Sequence, residues 1–155
     1  METIKKYKWL LIVVLVVLAG VFFFFNRFYH NDVKALMDFS VSYEKFDKAI
    51  SDFSISKTDD LESKAGDALI ELNTKASARI SSLIKNDAEL MSTQLEIADF
   101  SGKELDTLSA YKRTIRDNRD ADVDRLAKEY GDLTSKRKAA YTRFARFQQL
   151  AESRD

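Results

Sequence analysis

Residues 9–25 read WLLIVVLVVLAGVFFFF, a run of 17 residues without a charged or strongly polar side chain. With Tyr7 and Phe28 beside it, the run reaches the length of about 20 residues that a helix needs to cross a bilayer. Backbone N–H and C=O groups in lipid must pair within the segment, and a helix pairs them. The stretch therefore predicts a single transmembrane helix over residues 9–28.

Side chains that favour the membrane–water interface flank this run at both ends. Aromatic rings lie at that level, and long cationic side chains reach the headgroups from nearby positions. The residues that we expect at the two interfaces are Lys5, Lys6, Lys8, Trp9, Arg27 and Tyr29.

A cleaved secretory signal is the alternative interpretation, because it also begins with basic residues and an apolar core. The run here is longer than the usual apolar core of about 7 to 15 residues. Ala19 and Gly20 are followed by Val21 and four phenylalanines, which is not a polar mature start. We therefore expect a membrane anchor that is not removed.

The orientation follows from the basic residues on either side of the segment. Three lysines precede it, whereas Arg27 and Lys34 follow it among aspartates. Because basic flanks favour the cytoplasm, we expect residues 1–8 there and residues 29–155 as an extracytoplasmic bundle. In a bacterial cell this means the inner membrane, with the bundle in the periplasm or outside. The reverse orientation stays open.

The composition of the whole chain favours long helices and offers little for enzyme chemistry. The chain has no proline, no cysteine, four glycines and one histidine. Proline interrupts helices, and cysteine is needed for thiolate zinc sites, iron–sulfur clusters and thiol catalysis. We expect a protein that is not an enzyme and has no metal and no cofactor.

Large apolar side chains recur at steps of three and four residues beyond the membrane segment. This is the heptad period of a helix that packs along one stripe. The first stripe comprises Leu36, Phe39, Tyr43, Phe46, Ile50 and Phe53, and the second Leu61, Ala65, Leu69, Leu72, Ala76, Ile80 and Leu83. Asp59 with Glu62 predicts a capping box at the start of the second helix.

The pattern continues to the end of the chain. The later apolar positions are Leu105, Leu108, Tyr111 and Ile115, followed by Leu126, Tyr130, Leu133, Ala140, Phe144 and Phe147. Because helix lengths must match in a bundle, we predict helices near 30–56, 59–85, 88–117 and 121–150.

The predicted fold is all-α: an N-terminal transmembrane helix that leads into an elongated, antiparallel, coiled-coil-like bundle of three or four long helices. The four-helix division leaves Gly102 inside a helix, which costs about 1 kcal/mol relative to alanine. The alternative places a turn at Gly102 and a kink in a longer helix.

Charge is distributed unevenly along the polar part of the chain. Residues 32–111 hold 16 acids and nine bases, whereas residues 112–155 hold 12 bases and eight acids. The basic residues that we predict as a contact surface are Lys136, Arg137, Lys138, Arg143 and Arg146. The partner would be a protein, a second copy of the chain or an anionic lipid surface; nucleic acid is not expected outside the cytoplasm. Alternatively, this cationic helix packs against the acidic helices of its own bundle.

The leading functional hypothesis is a non-enzymatic tether, scaffold or assembly subunit anchored to one membrane. A second hypothesis is a sensor or ligand-binding bundle that signals through a separate membrane partner, because the segment before the anchor has only about eight residues. A third hypothesis is an adaptor that faces the cytoplasm.

Overall fold

The computed structural model describes residues 2–78, 87–117 and 120–152, and in these ranges the chain is helical and contains no strand. The helices are α1 (Glu2–Ser56), α2 (Asp59–Ala76), α3 (Asp87–Arg116) and α4 (Asp120–Glu152). They pack against one another. The predicted all-α class is confirmed.

Helix α1 is continuous over 55 residues. No glycine or proline occurs from residue 21 to residue 56, so the sequence contains no helix breaker there. The apolar run and the first heptad stripe therefore lie on a single rod of about 80 Å, at 1.5 Å per residue. Among the described residues, α1 is the one helix that is long and apolar enough to cross a membrane, and its most apolar part is not buried in the structure.

The connection between α1 and α2 takes two residues. Lys57 has a φ of 50°, a left-handed conformation that ends a helix. Thr58 is the N-cap of α2, and its Oγ1 accepts a hydrogen bond from the Leu61 N–H at 3.4 Å. The capping box predicted from Asp59 is therefore wrong by one residue. Asp59 and Glu62 lie in the first turn, where carboxylates interact favourably with the helix dipole.

Helix α3 passes through Gly102 without a turn, so the alternative division at that glycine is wrong. The helix begins at Asp87, one residue before the predicted start. Helix α2 ends at Ala76, with Ser77 as its C-cap, so the predicted end of this helix at residue 85 is wrong by nine residues.

Contacts between side chains give the relative direction of α1 and α4. Going up the α1 sequence, the contacts are Phe39 with Phe144, Tyr43 with Tyr141, and Asp47 with Arg137. The α4 numbers fall as the α1 numbers rise, so the two helices run antiparallel.

Two other pairs of neighbouring helices show the same falling order. The contacts are Asp38 with Lys75 and Ser42 with Glu71 between α1 and α2, and Glu96 with Arg143 and Glu104 with Arg137 between α3 and α4. Because α1 opposes α2 and α4, and α4 opposes α3, helices α2 and α3 also run antiparallel. In the described part of the chain α2 and α4 share no contact, so they lie diagonally across the bundle.

The core is built on the first heptad stripe. All six of its side chains, from Leu36 to Phe53, are at most 5% exposed. Ala65, Leu72 and Ala76 of α2 belong to the same core. The small side chains of the two alanines leave space for the aromatic rings of α1. Of the second stripe, residues 80 and 83 lie outside the described part.

Candidate protein-binding surface

An open groove with a volume of about 720 Å³ lies between α3 and α4. Lys136, Arg143 and Arg146 of α4 line it, together with Ala139 of the same helix and Phe100 of α3. The α4 positions are three or four residues apart, which places them on one face of the helix. The structure thus brings together three of the five basic residues predicted as a contact surface.

The cations of this groove differ in their intramolecular partners. Arg143 Nη2 donates a hydrogen bond to Glu96 Oε2 at 2.6 Å, across the groove. Lys136 and Arg146 form no ion pair with any described residue. An anionic group that enters the groove would therefore find two positive charges that no carboxylate of the described chain neutralises.

Arg137 does not lie on this surface, so the prediction that it is a contact residue is wrong. Its side chain is 1% exposed and is one of the largest fully buried side chains of the protein. The position is one residue, or about 100°, around the helix from Lys136, and this rotation turns it into the core. For this residue the alternative expectation, packing inside the chain's own bundle, describes the structure.

Arg137 is the centre of a group of charges that joins three helices, which we call the Arg137 cluster. Its members are Arg137 of α4 and Glu104 of α3, which are buried, and Asp47 of α1, which is partly exposed. The Arg137 Nε donates to Glu104 Oε2 at 2.5 Å, and its Nη2 donates to Asp47 Oδ1 at 2.7 Å. Thr134 Oγ1 donates to the other oxygen of the Glu104 carboxylate. The guanidinium also lies 5.2 Å from the centre of the Tyr43 ring.

Burial and charge act in opposite directions on this cluster. Burial lowers the pKa of the Arg137 guanidinium, but the Glu104 carboxylate, Tyr43 and Asp47 together outweigh burial, so the pKa is raised from its ordinary value. Burial raises the pKa of Tyr43 to about 12, although the Arg137 cation partly opposes this. Arg137 is thus charged, and Tyr43 is neutral, over the whole physiological pH range.

The sequence contains a signal for the Arg137 cluster that the apolar stripes alone do not show. Arg137 falls midway between Leu133 and Ala140, at the step where an apolar residue is missing from the α4 stripe. Glu104 occupies the corresponding place on α3, between Ile97 and Leu108. A basic and an acidic residue at core positions of two helices indicate a buried pair.

Lys138 is exposed but does not line the groove. It lies two residues, or about 200° of helix rotation, from Lys136. The single contact surface predicted from the sequence is therefore divided: three cations line the groove, Arg137 is buried, and Lys138 faces solvent elsewhere on α4.

A second group of charges lies at the surface between α2 and α3, and we call it the Lys112 clamp: Lys112 of α3 with Asp59 and Glu62 of α2. Lys112 Nζ donates to Glu62 Oε2 at 2.7 Å and also to the Asp59 carboxylate. These hydrogen bonds from Lys112 hold the pKa of both carboxyl groups below their ordinary values. The clamp fixes the first turn of α2 against α3.

The residues predicted at the membrane interface all lie on α1. Arg27 is exposed and Tyr29 is half-buried. The side chains of Lys5, Lys6, Lys8 and Trp9 lie outside the described residues, so their predicted place at the interface stays a prediction.

In the described ranges, no three histidine, cysteine or carboxylate side chains are grouped so as to hold a metal ion. Comparisons of the chain with known protein families, with curated proteins and with solved structures found no match. The chemistry of the surface therefore follows from its residues: cationic groups around an apolar patch, suited to an anionic and partly apolar partner.

Proposed function

We propose that the protein is a single-pass, membrane-anchored helical bundle without enzymatic activity that acts as a tether, scaffold or assembly subunit. The observation that carries the proposal is the contrast within α1. Phe22 is 74% exposed and Val16 is 66% exposed, whereas Phe39 and Phe46 are fully buried. The exposed side chains of residues 13–25 form a continuous apolar surface, which would be unusual on a soluble monomer. A bilayer would cover this surface.

The proposed architecture is an elongated, antiparallel, coiled-coil-like bundle that stands on the membrane. The three- and four-residue steps of the buried α1 stripe support this arrangement. A helix that leaves the bilayer and enters the bundle without interruption would hold the bundle at a fixed distance from the lipid, which is what a tether or scaffold requires.

The proposed location is the inner membrane of a bacterial cell, with the N-terminus in the cytoplasm and the bundle outside it. The basic bias of residues 1–8 supports this orientation. Fusions of the C-terminus to a reporter enzyme that is active only outside the cytoplasm would give activity. Activity instead from a reporter that works only in the cytoplasm would support the third hypothesis, an adaptor that faces the cytoplasm.

The proposed contact surface consists of Lys136, Arg143 and Arg146 around the α3/α4 groove. Exposed cations at the rim of an apolar patch give an interface its specificity and register. The groove also contains Phe100, which supplies the apolar area that charges alone lack.

The anchor is tested by extracting membranes that contain the full chain with alkaline carbonate. We expect the wild-type chain to stay with the lipid, and a variant with Val16→Lys and Phe22→Lys to be released. The matched control is Met37→Lys with Val41→Lys, which changes two exposed apolar residues farther along the same helix and should remain bound. Release of the wild-type chain by plain buffer would contradict the proposal.

A further inference from the structure

Two apolar features in the described part of the bundle are open to solvent. One is the α3/α4 groove, which is lined by the exposed Ala139 and by Phe100, a half-buried ring that also packs against the core. The other is Ile70 of α2, which is 65% exposed on the outer side of that helix. Asp67 lies one turn before Ile70 on the same side and forms no ion pair with any described residue. The groove is rimmed by a cation, and Ile70 is accompanied by a carboxylate.

Contacts to α1 place Ile70 and Phe100 at the same level along the bundle. Glu71, which follows Ile70, accepts hydrogen bonds from Ser42 at 3.2 Å and Lys45 at 2.8 Å. Glu104, one turn beyond Phe100, shares Arg137 with Asp47. Ile70 and Phe100 therefore both lie level with about residue 43 of α1, within one helical turn of about 5.4 Å.

The charged residues agree in level by the same reasoning. Asp67 lies one turn farther along the bundle than Glu71, and is therefore level with about residue 48 of α1. Lys136 adjoins Arg137, whose Nη2 is 2.7 Å from Asp47 Oδ1. The Asp67 carboxylate therefore lies farther along the bundle than Ile70, toward the C-terminal end of α1. The Lys136 ammonium group lies farther than Phe100 in the same direction and by a similar distance.

We infer that the α3/α4 groove receives the α2 face of a second copy of the chain, with Ile70 against Phe100 and Ala139 and Asp67 against Lys136. The inference rests on the proposed membrane anchor, because anchoring both copies by α1 in one bilayer holds them parallel and at equal height. Only in that arrangement do the two matched levels meet.

The contact is head-to-tail, because α2 and the groove lie on different sides of the bundle. A pair of copies then keeps one free groove on one copy and one free α2 face on the other, so that association continues into a ring or a row in the membrane plane. An exposed ion pair contributes little energy, and it acts here as a register. Confinement to one membrane raises the effective concentration and favours a contact of small area.

Cross-linking in membranes tests the inference, and the absence of cysteine from the chain makes introduced cysteines unambiguous. One tagged chain carries Ile70→Cys, and a second, differently tagged chain carries Ala139→Cys. The two are produced together, and their membranes are treated with a short-armed bismaleimide. We expect a cross-linked species that carries both tags. The control replaces Ile70→Cys by Val41→Cys, which is also exposed and lies at a similar height but on α1.

Charge reversal supplies the second part of the test. Lys136→Asp in the Ala139→Cys chain should reduce the cross-linked yield several-fold, as should Asp67→Lys in the Ile70→Cys chain. Both changes together should restore it. A yield no higher than that of the Val41→Cys control, or one that ignores both charge reversals, would overturn the inference.

The same membranes distinguish failure of this inference from failure of the proposed function. If carbonate releases the chain, the anchor itself is wrong. If the chain stays in the membrane and the paired cysteines do not cross-link, the anchor stands and the second copy is not the occupant of the groove.

Discussion

The Arg137 cluster and the Lys112 clamp have the same composition, one cation with two carboxylates, but they differ in exposure. In the Arg137 cluster the side chains of Arg137 and Glu104 are 1% and 0% exposed and that of Asp47 is 41% exposed. In the Lys112 clamp the side chains of Lys112, Glu62 and Asp59 are 15%, 35% and 96% exposed. Water stabilises and screens separated charges at the surface, whereas a charge in the core depends on its partner. The comparison teaches that location decides what an ion pair contributes to this bundle.

The largest effect is expected from breaking the Arg137 cluster on one side. Glu104→Gln keeps the side-chain volume but leaves the Arg137 cation in the core with only Asp47. Loss of one partner of a buried pair lowers the free energy of unfolding by about 3–5 kcal/mol. Chemical unfolding of the detergent-solubilised full chain, followed by circular dichroism, measures it.

The control replaces both members of the pair, as Glu104→Leu with Arg137→Leu. Because no unpaired charge then remains in the core, the loss of stability should be much smaller than for Glu104→Gln. An equal or greater loss in the double variant would show that the charges themselves stabilise the core.

Alkaline pH is the next way to probe the same cluster, through Tyr43. Its pKa is about 12 in the folded chain against an ordinary value of 10.0. The folded chain thus favours the neutral phenol. The resulting contribution to the free energy of unfolding is fully present below pH 10 and is lost as the pH rises from about 10 to 12. The pKa shift corresponds to a contribution of about 2–3 kcal/mol.

The measurement is a series of unfolding curves between neutral and alkaline pH. The Tyr43→Phe variant should lose less stability over that interval than the wild-type chain. Tyr130, whose pKa burial also raises, provides a comparison through Tyr130→Phe. If the stability of the wild-type and Tyr43→Phe chains depended on pH in the same way, the raised pKa of Tyr43 would be contradicted.

A smaller effect is expected at the Lys112 clamp. Lys112→Met should lower the melting temperature less than Glu104→Gln does, because the carboxylates that lose their partner are hydrated. The difference from wild type should shrink in about 1 M salt, where the Debye length is about 3 Å. A salt-independent loss as large as that of Glu104→Gln would show that Lys112 has a structural role beyond the ion pairs.

Acid should remove the contribution of the same clamp. The hydrogen bond from Lys112 lowers the pKa of Glu62 below its ordinary value of 4.5. The contribution is therefore present above pH 4.5 and is lost as the pH falls through the lowered value. Below pH 4.5 the melting curves of the wild-type and Lys112→Met chains should converge. Curves that stay apart at low pH would contradict a contribution from the ionised Glu62 carboxylate.

The smallest effect is expected from Gly102→Ala, on the helix that contributes to both groups of charges. Apart from the adjacent residues and the backbone of α3 itself, no described atom lies within 4 Å of the position that the new Cβ would take. The free energy of unfolding should rise by about 0.5–1 kcal/mol, because alanine loses less conformational freedom in a helix. The same unfolding experiment detects it, and a decrease would indicate that α3 needs the glycine.

The sequence predicts those parts of the fold that depend on one repeated signal. The six large residues from Leu36 to Phe53 keep a strict heptad period, and all of them are buried. The start of α3 was predicted within one residue, whereas α2 ends at Ala76 rather than residue 85, because α2 with 18 residues does not match the 30 residues of α3 in length. Thr58 was missed as the N-cap, because Asp59 offers the same cap chemistry one position later.

The candidate surface was harder to predict, because charge along a sequence does not show which side of a helix faces inward. Lys136, Arg137 and Lys138 are consecutive, and the three side chains point in three directions around α4. Burial of Arg137 depends on Glu104, which lies 33 residues earlier. Only packing of the helices brings these two side chains together.

The uninterrupted α1 rod has a mechanical consequence. From Tyr29 to Ser56 the helix extends about 40 Å, and its buried stripe fixes it to the other three helices. In the proposed membrane-anchored arrangement, a change of about 10° in the tilt of α1 would move its far end sideways by about 7 Å, because a helix without a hinge moves as a rigid rod. Bilayer thickness influences such tilts, so in that arrangement lipid composition would change the orientation of the whole bundle.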